Sequence, residues 1–437
     1  MLSAETALAY VRSNVFTTIG CTEPVAIAYA ATAAYQHLGG SVESLDVSIS
    51  VNMFKNAMAV GIPGSDQKGI KFAVALGLVA GDWQKGLRLF EGVNPEHVAE
   101  ALKISSNGMI SVDLTDETDK VFIKTIVKTD KGSAVAEIRG SHTNLVYVDV
   151  DGQRVYEKNA DHQADNAQSA AGPDIENLRG LQMEDLAAAV DAIDEDELGF
   201  LSDVVDVNIA AAEFGLKNKP GMGLGAGIDQ LIMDRVVGDS LATRVEKYVA
   251  AAADSRMSGM MVPVKGCGGS GNHGIAYFLG TGLAWQEFRE KMQKSLPKAL
   301  AMGLLLVNYV KVYTGLLTPT CGVTISAAPS IAASLVYAMG GTPEQMTAAV
   351  KLVIGNIAGI LCDGAKHGCS LKAATSARFG VQAAFLTLQG VTIPDSDGII
   401  GKDLPSTMEN LRLLQENGLN NADRTMLDVL LKKSVGM

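Results

Sequence analysis

Five cysteines are the residues of this 437-residue chain with the most chemistry to offer. Four of them, Cys21, Cys321, Cys362 and Cys369, fall in stretches that read as loops at helix ends. A structural cysteine usually hides within the apolar stripe of a helix, whereas a loop beside glycines leaves backbone amides free to hydrogen-bond sulfur. Cys21 precedes Thr22-Glu23-Pro24, a capping residue followed by a helix-starting proline. Cys321 follows Thr318-Pro319-Thr320, and Cys362 and Cys369 bracket the polar segment Asp363-Gly364-Ala365-Lys366-His367-Gly368. Three thiolates converging from such loops can hold zinc or an iron–sulfur centre. The steps between them, 41 residues and then 7, match no compact Cys-x2-Cys ribbon. Spacing alone therefore leaves a metal site and inert thiols about equally open. With no fourth cysteine close by, three thiolate ligands would leave a bound metal an open position, as catalytic sites have.

A glycine-rich loop, GCGGSGNHG at 266–274, is the second candidate. Its amides, together with Ser270 and Asn272, can cradle a carboxylate; the plain alternative is a loop joining two helices. His273 is a candidate general acid. Lys366, between two of the cysteines, is a candidate carboxylate ligand or else a solvated ammonium. Cys267 reads as a packed thiol with no role. His37, His97, His142 and His162 are scattered and form no ligand spacing. The run LTDETDK at 114–120 reads as a solvated loop. GMGLGAG at 221–227 lacks the preceding strand that a dinucleotide fingerprint requires.

The elements that must position these residues change character along the chain. Residues 3–13 and 24–38 read as helices, the second opened by Pro24 and closed by Gly39-Gly40. From Glu43 the stretches SLDVSISVNM, MISVDL, KVFIKTIVKT, SAVAEIRG and NLVYVDVDG alternate with period two, and Asp130-Lys131-Gly132 and Asp151-Gly152 supply hairpin turns. Residues 67–104 read as helices set within this block. From about 181 onward the period is helical, with no strand signal. The reading is an α+β fold, a mainly helical catalytic domain with an inserted α+β domain containing an antiparallel sheet. Residues 1–42 are expected to belong with the helical domain, 43–160 to form the α+β domain, 161–180 a linker, and 181–437 the helical remainder.

Composition excludes several classes of function. Hydrophobic residues make up 47% of the chain, too many for disorder. A formal charge of −12 argues against nucleic acid as a partner. The most apolar stretch, Ala299 to Val310, is broken by Asn308 and followed by Lys311, short of the roughly 20 residues of a membrane span. The N-terminal residues show no signal-peptide pattern, so a cytoplasmic protein without membrane attachment is expected. An odd number of cysteines there argues against a disulfide framework. The large apolar helices are compatible with a homodimer.

Several motifs carry a family resemblance. GCTEPVAIAYA (20–30), KGCGGSGNHGI (265–275), PTCGVTISAAPS (319–330) and LCDGAKHGCSLKAAT (361–375), with NMFKNAMAVGIPG (52–64) and SHTN (141–144), resemble the motifs of iron–sulfur L-cysteine desulfidases. That family is related to the alpha part of iron–sulfur L-serine dehydratases. The resemblance implies a [4Fe–4S] cluster on Cys321, Cys362 and Cys369, with one iron free to act as a Lewis acid. It implies that Cys21 acts at the substrate, a small L-amino acid. A thiol at the start of a helix is expected to have a lowered pKa and so to serve as base, with the role of fourth cluster ligand as the alternative. Elimination of sulfide from L-cysteine to give pyruvate, ammonia and hydrogen sulfide is the expected reaction, and dehydration of L-serine its close alternative. A Ser-Gly-Asn-His-Gly string also resembles pyridoxal-phosphate dehydratases, but no Schiff-base lysine arrangement accompanies it. A non-enzymatic redox or cluster-sensing protein is the remaining alternative.

Overall fold

The computed structural model describes residues 2–158 and 174–435. Two hydrophobic cores divide them. The larger is built from helices, including Ala4–Asn14, Val204–Asn218, Leu241–Met257, Gly271–Glu287, Leu296–Thr314, Ala328–Ala338 and Cys369–Leu388. Alanine and glycine on the facing sides let these helices approach closely. A Cβ at Gly303 would stand 2.2 Å from the Tyr277 hydroxyl, and one at Gly215 would stand 2.2 Å from the Ala251 carbonyl oxygen.

The smaller core lies under a six-stranded sheet. The strands are β2 (Val42–Ile49), β3 (Ile110–Leu114), β4 (Phe122–Thr129), β5 (Gly132–Arg139), β6 (Leu145–Val150) and β7 (Gln153–Glu157), with β1 (Phe16–Ile19) lying outside it. Their order is β3-β2-β4-β5-β6-β7. The sheet is mixed, not antiparallel throughout as expected, because β2 and β3 run parallel. The connection between those two strands carries helices Val51–Ala57, Ile70–Ala80 and Pro95–Ser106, a crossover long enough to return the chain in the same direction. The remaining neighbours are antiparallel, two of them joined by short turns. At one of these turns Asp151 and Gly152 both have positive φ, the primed-turn geometry that matches strand twist.

Helix Thr22–Leu38 departs from the expected division. Every residue from Thr22 to Ala34 is buried, and the helix lies in the smaller core, against β4, β5 and helix Ile70–Ala80. A Cβ at Gly77 would lie 2.6 Å from the Thr32 hydroxyl, so glycine there permits the close crossing of these two helices. Residues 1–42 are therefore split: helix Ala4–Asn14 joins the helical core and helix Thr22–Leu38 joins the sheet. Of the expected linker 161–180, residues 161–173 lie outside the described residues. Ile175–Leu178 forms a 3-10 turn whose Leu178 is buried in the helical core, so this end belongs to that core.

A strand in the helical half also went unread in the sequence. β8 (Pro263–Gly266) pairs antiparallel with β1, Phe16 opposite Gly266 and Ile19 opposite Pro263. This two-stranded ribbon ties the start of the sheet unit to the loop 266–274. Asp423, on helix Ala422–Val435, adds a second tie. It receives Lys55 Nζ at 2.5 Å and Asn52 Nδ2 at 2.8 Å, and the same ammonium donates to the Cys362 carbonyl at 3.2 Å. Among the described residues no helix is long and apolar enough to cross a membrane.

Candidate functional site

The 41-residue step between Cys321 and Cys362 is closed by backbone hydrogen bonds. Thr320 and Leu361 form an isolated antiparallel bridge, Cys321 N–H donates to the Ile360 carbonyl at 2.7 Å, and Cys362 N–H donates to the Pro319 carbonyl at 2.8 Å. Cys369 begins helix Cys369–Leu388, its amide bonded to the Lys366 carbonyl at 2.9 Å. Gly364 makes the intervening loop possible. Its φ of +88° suits glycine, and a Cβ there would stand 2.5 Å from the Lys55 carbonyl oxygen. The three thiols line one cavity of about 90 Å³.

Cys21, the residue just before helix Thr22–Leu38, lines the same cavity and shares a small packed cluster with Cys369. The Cys21 thiol donates to Glu23 Oε2 at 3.0 Å. Thr22 Oγ1 donates to the same oxygen at 3.0 Å, and Asn56 Nδ2 donates to Oε1 at 3.0 Å. His142 Nε2 is 4.0 Å from Oε1. Burial alone would raise the Glu23 carboxyl, but the His142 imidazole, the Cys21 thiol and the Arg256 guanidinium outweigh it and hold the group below the ordinary carboxylate range. Burial pushes His142 below its ordinary value, so it faces Glu23 as neutral imidazole near neutral pH. Cys21 itself is pushed well above its ordinary value, first by burial and then by the Glu23 charge. The lowered thiol pKa expected from the helix start is thus overturned: a desolvated thiol beside a carboxylate keeps its proton, and the helix dipole is the weaker effect.

The loop 266–274 forms the third side. Gly268 and Gly269 have positive φ, and amide and carbonyl bonds between Cys267 and Ser270 close the turn. Ser270 precedes helix Gly271–Glu287 but makes no side-chain cap. Ser270, Asn272 and His273 line the cavity. Burial holds His273 well below its ordinary pKa, and neither ring nitrogen has a partner among the described residues. Cys267, within this loop, is fully buried, its thiol pushed up by burial, and it does not line the cavity. Lys366 stands apart from the lining. Its ammonium is 2.5 Å from Asp363 Oδ2 and donates to the Asp363 carbonyl at 2.7 Å. That local pairing, three residues along one loop, satisfies it without any ligand.

Two lining residues escaped the sequence reading, Asn56 and Arg256. Asn56 sits in the NMFKNAMAVGIPG block, so its motif was visible although its role was not. Arg256 closes an alanine-rich helix in which residues 249–257 are all buried. A cation following four consecutive alanines, beside Asp254 and Ser255, was the available signal.

The donor set fits an iron–sulfur cluster. Cys321 is pushed up to about 12 and Cys369 to about 11, by burial first and then largely by neighbouring cysteines, so protons leave these thiols readily only when a metal replaces them. Cys369 Sγ has only a 3.6 Å contact to the Gly364 carbonyl. Among the described residues no group of three or more His, Cys, Asp or Glu side chains that could hold a metal ion is found. Thiols lining one cavity are nevertheless the donor type that iron–sulfur centres use.

A family model described as serine dehydratase alpha chain matches residues 84–428. That span holds Arg256, the 266–274 loop and the three clustered cysteines, while Cys21, Glu23 and Asn56 lie before it. Proteins named UPF0597 are similar over almost the whole chain. The one from Desulfatibacillum aliphaticivorans is 36% identical over 95% of both chains. The one from Clostridium botulinum strain Langeland is 32% identical over 99% of this chain and 98% of its own. The one from Clostridioides difficile is 33% identical over 96% and 97%.

Proposed function

This chain belongs to the serine dehydratase alpha-chain family, and on that premise we propose that it eliminates a β-substituent from a small L-amino acid, L-cysteine first and L-serine as the alternative. Family membership makes it a relative of lyases. The finer reading rests on one observation: three thiols, Cys321, Cys362 and Cys369, share a small cavity with a Cys21–Glu23 pair. In this reading the three thiolates hold a [4Fe–4S] cluster. When bound, the cluster supplies a Lewis-acidic iron toward the substrate's carboxylate and its leaving group.

The chain's own residues do the rest. Ser270, Asn272 and the loop amides hold the substrate's polar end. Cys21 takes the α-proton, and it can do so only after its own proton has passed to Glu23 Oε2, the oxygen it already faces at 3.0 Å. Glu23 Oε2, already hydrogen-bonded to that thiol, is the acceptor in the pair. His273, expected from the sequence as a general acid, is neutral by burial and carries no imidazolium proton for the departing group; its unpartnered ring nitrogens serve instead as hydrogen-bonding groups toward the substrate. Loss of the α-hydrogen and HS⁻ from L-cysteine leaves aminoacrylate, and water converts it to pyruvate and ammonia. The substrate is a small free amino acid, and a homodimer is compatible with this reading.

Iron and acid-labile sulfide per chain, measured on anaerobically purified protein, test the proposal together with pyruvate release from L-cysteine and L-serine. About four of each per chain, with turnover of either amino acid, is the expected result. Zinc in place of iron, or no iron after anaerobic reconstitution, overturns it. A full cluster with no turnover supports a sensing protein instead.

A further inference from the structure

Arg256 is the charge in this molecule that its neighbours explain least. It ends helix Leu241–Met257 at 2% exposure. Nη1 donates to Asn272 Oδ1 at 3.1 Å and touches Met257 Sδ at 3.5 Å. Nε and Nη2 are buried and have no partner among the described residues. A buried guanidinium with no hydrogen-bonded anion is costly, because the charge of Glu23, which it feels without touching, offsets its desolvation only in part. Such a group is held in place by surrounding structure for an anion that arrives later.

A second, independent feature points to the same place. Helix Gly271–Glu287 begins with Ser270, whose side chain makes no cap bond, so the first amides of this 17-residue helix lack a side-chain acceptor. Gly271 lets the guanidinium lie against that helix start: a Cβ there would stand 2.2 Å from Arg256 Nε and 2.8 Å from Cζ. Arg256, Ser270 and Asn272 all line the cavity shared with Cys21, Glu23 and the three clustered cysteines. The guanidinium also acts electrostatically on both Cys21 and Glu23, so its charge is felt within the cavity.

We propose that Arg256, oriented by Asn272 and joined by the uncapped amides of helix Gly271–Glu287, binds the α-carboxylate of the substrate. The identity of that carboxylate as an amino acid's rests on the lyase reading above; the anion site itself does not. One cation with two free N–H groups complements a single carboxylate. The cavity, at about 90 Å³, suits a small monoanion. The consequence is selectivity for the free acid: an amino acid blocked at its carboxyl leaves Nε and Nη2 still unpaired, and such unpaired groups discriminate strongly.

Calorimetric titration of the full-length protein, anaerobic and without cluster, tests this with L-cysteine, L-serine, their methyl esters and acetate as probes. The free acids are expected to bind about ten- to a hundredfold more tightly than the esters. Arg256→Gln should remove that preference and leave ester binding unchanged, with Arg256→Lys between the two. Should Arg256→Gln fail to fold, Gly271→Ala serves as the second variant, because its methyl displaces the guanidinium and should weaken acid binding alone. Esters binding as tightly as acids, or either variant keeping the acid preference, overturns the proposal. Binding through Arg256 without turnover in cluster-loaded protein would leave this site standing and sink the lyase reading. Turnover with an unchanged KM in Arg256→Gln would do the reverse.

Discussion

The two walls of the cavity use the same side chain to opposite ends. On the helical wall, Cys321 and Cys369 resist ionisation, by burial first and then by the charge of neighbouring cysteines. On the sheet wall, Cys21 has a carboxylate for a neighbour and holds its proton against that charge. In the proposed reading a metal resolves the first arrangement by displacing the thiol protons, and a proton transfer within the pair resolves the second. A thiol's chemistry here is set by its neighbours, and both kinds of thiol begin or precede a helix.

The sharpest way to break this comparison is to remove thiols from each wall. Alanine at Cys321, Cys362 or Cys369 should abolish iron binding, read as iron per chain, and with it all turnover, while far-UV circular dichroism is unchanged. Cys21→Ala should keep its iron and lose activity by about 10²–10⁴-fold. Iron lost from Cys21→Ala would move Cys21 to the other wall as a fourth ligand.

Next in size is Glu23→Gln. It should cost at least about 10²-fold in kcat, because the proton of Cys21 loses its acceptor. In cluster-free protein the same change should lower the apparent pKa of Cys21, read from the pH dependence of its alkylation, since the Glu23 charge no longer opposes the thiolate. Alkylation that is unchanged would separate Cys21 from Glu23 and dissolve the pair.

Much of the helical wall was legible in the sequence because its residues lie in short loops beside glycine, where Cys362 and Cys369 are seven residues apart. The pairing of Cys321 with Cys362 was not, because it depends on a bridge between Thr320 and Leu361 that no periodicity announces. Arg256 was hidden by its setting, since a lone cation at a helix end ordinarily reads as a dipole complement. Helix Thr22–Leu38 was assigned to the wrong core because an alanine-rich helix buried on all sides has no stripe to say what it faces. The parallel pairing of β2 with β3 was missed for a related reason: alternation gives a strand's faces, not its direction.

A smaller effect tests how the walls are joined. Asp423→Asn should destabilise the protein by about 3 kcal/mol in urea unfolding, because it leaves Lys55, 1% exposed, without its carboxylate. It should also loosen iron retention, since the Lys55 ammonium reaches the Cys362 carbonyl. Unchanged stability would mean that the sheet unit and the cysteine loop are held by other contacts.

The smallest expected effect is in acid. His142 and His273 are both held below their ordinary values by burial, so the unfolded chain takes up their protons first as the pH falls. Stability of the cluster-free protein should be fully present above about pH 6.5 and decline below it. His273→Asn should flatten that decline, measured as unfolding midpoint against pH. A midpoint constant from pH 7 to 5 would mean that neither imidazole is buried neutral in solution.

That the cavity lies on the seam between two separately cored units has a consequence for how such a protein can change over generations. Substitutions beneath the sheet reach Cys21, Glu23 and Asn56 first, and pass to the clustered thiols through the packing of Cys21 beside Cys369 and through Lys55 at the Cys362 carbonyl. Change on one side is therefore answered on the other, so the two units are expected to vary together at this seam and separately elsewhere.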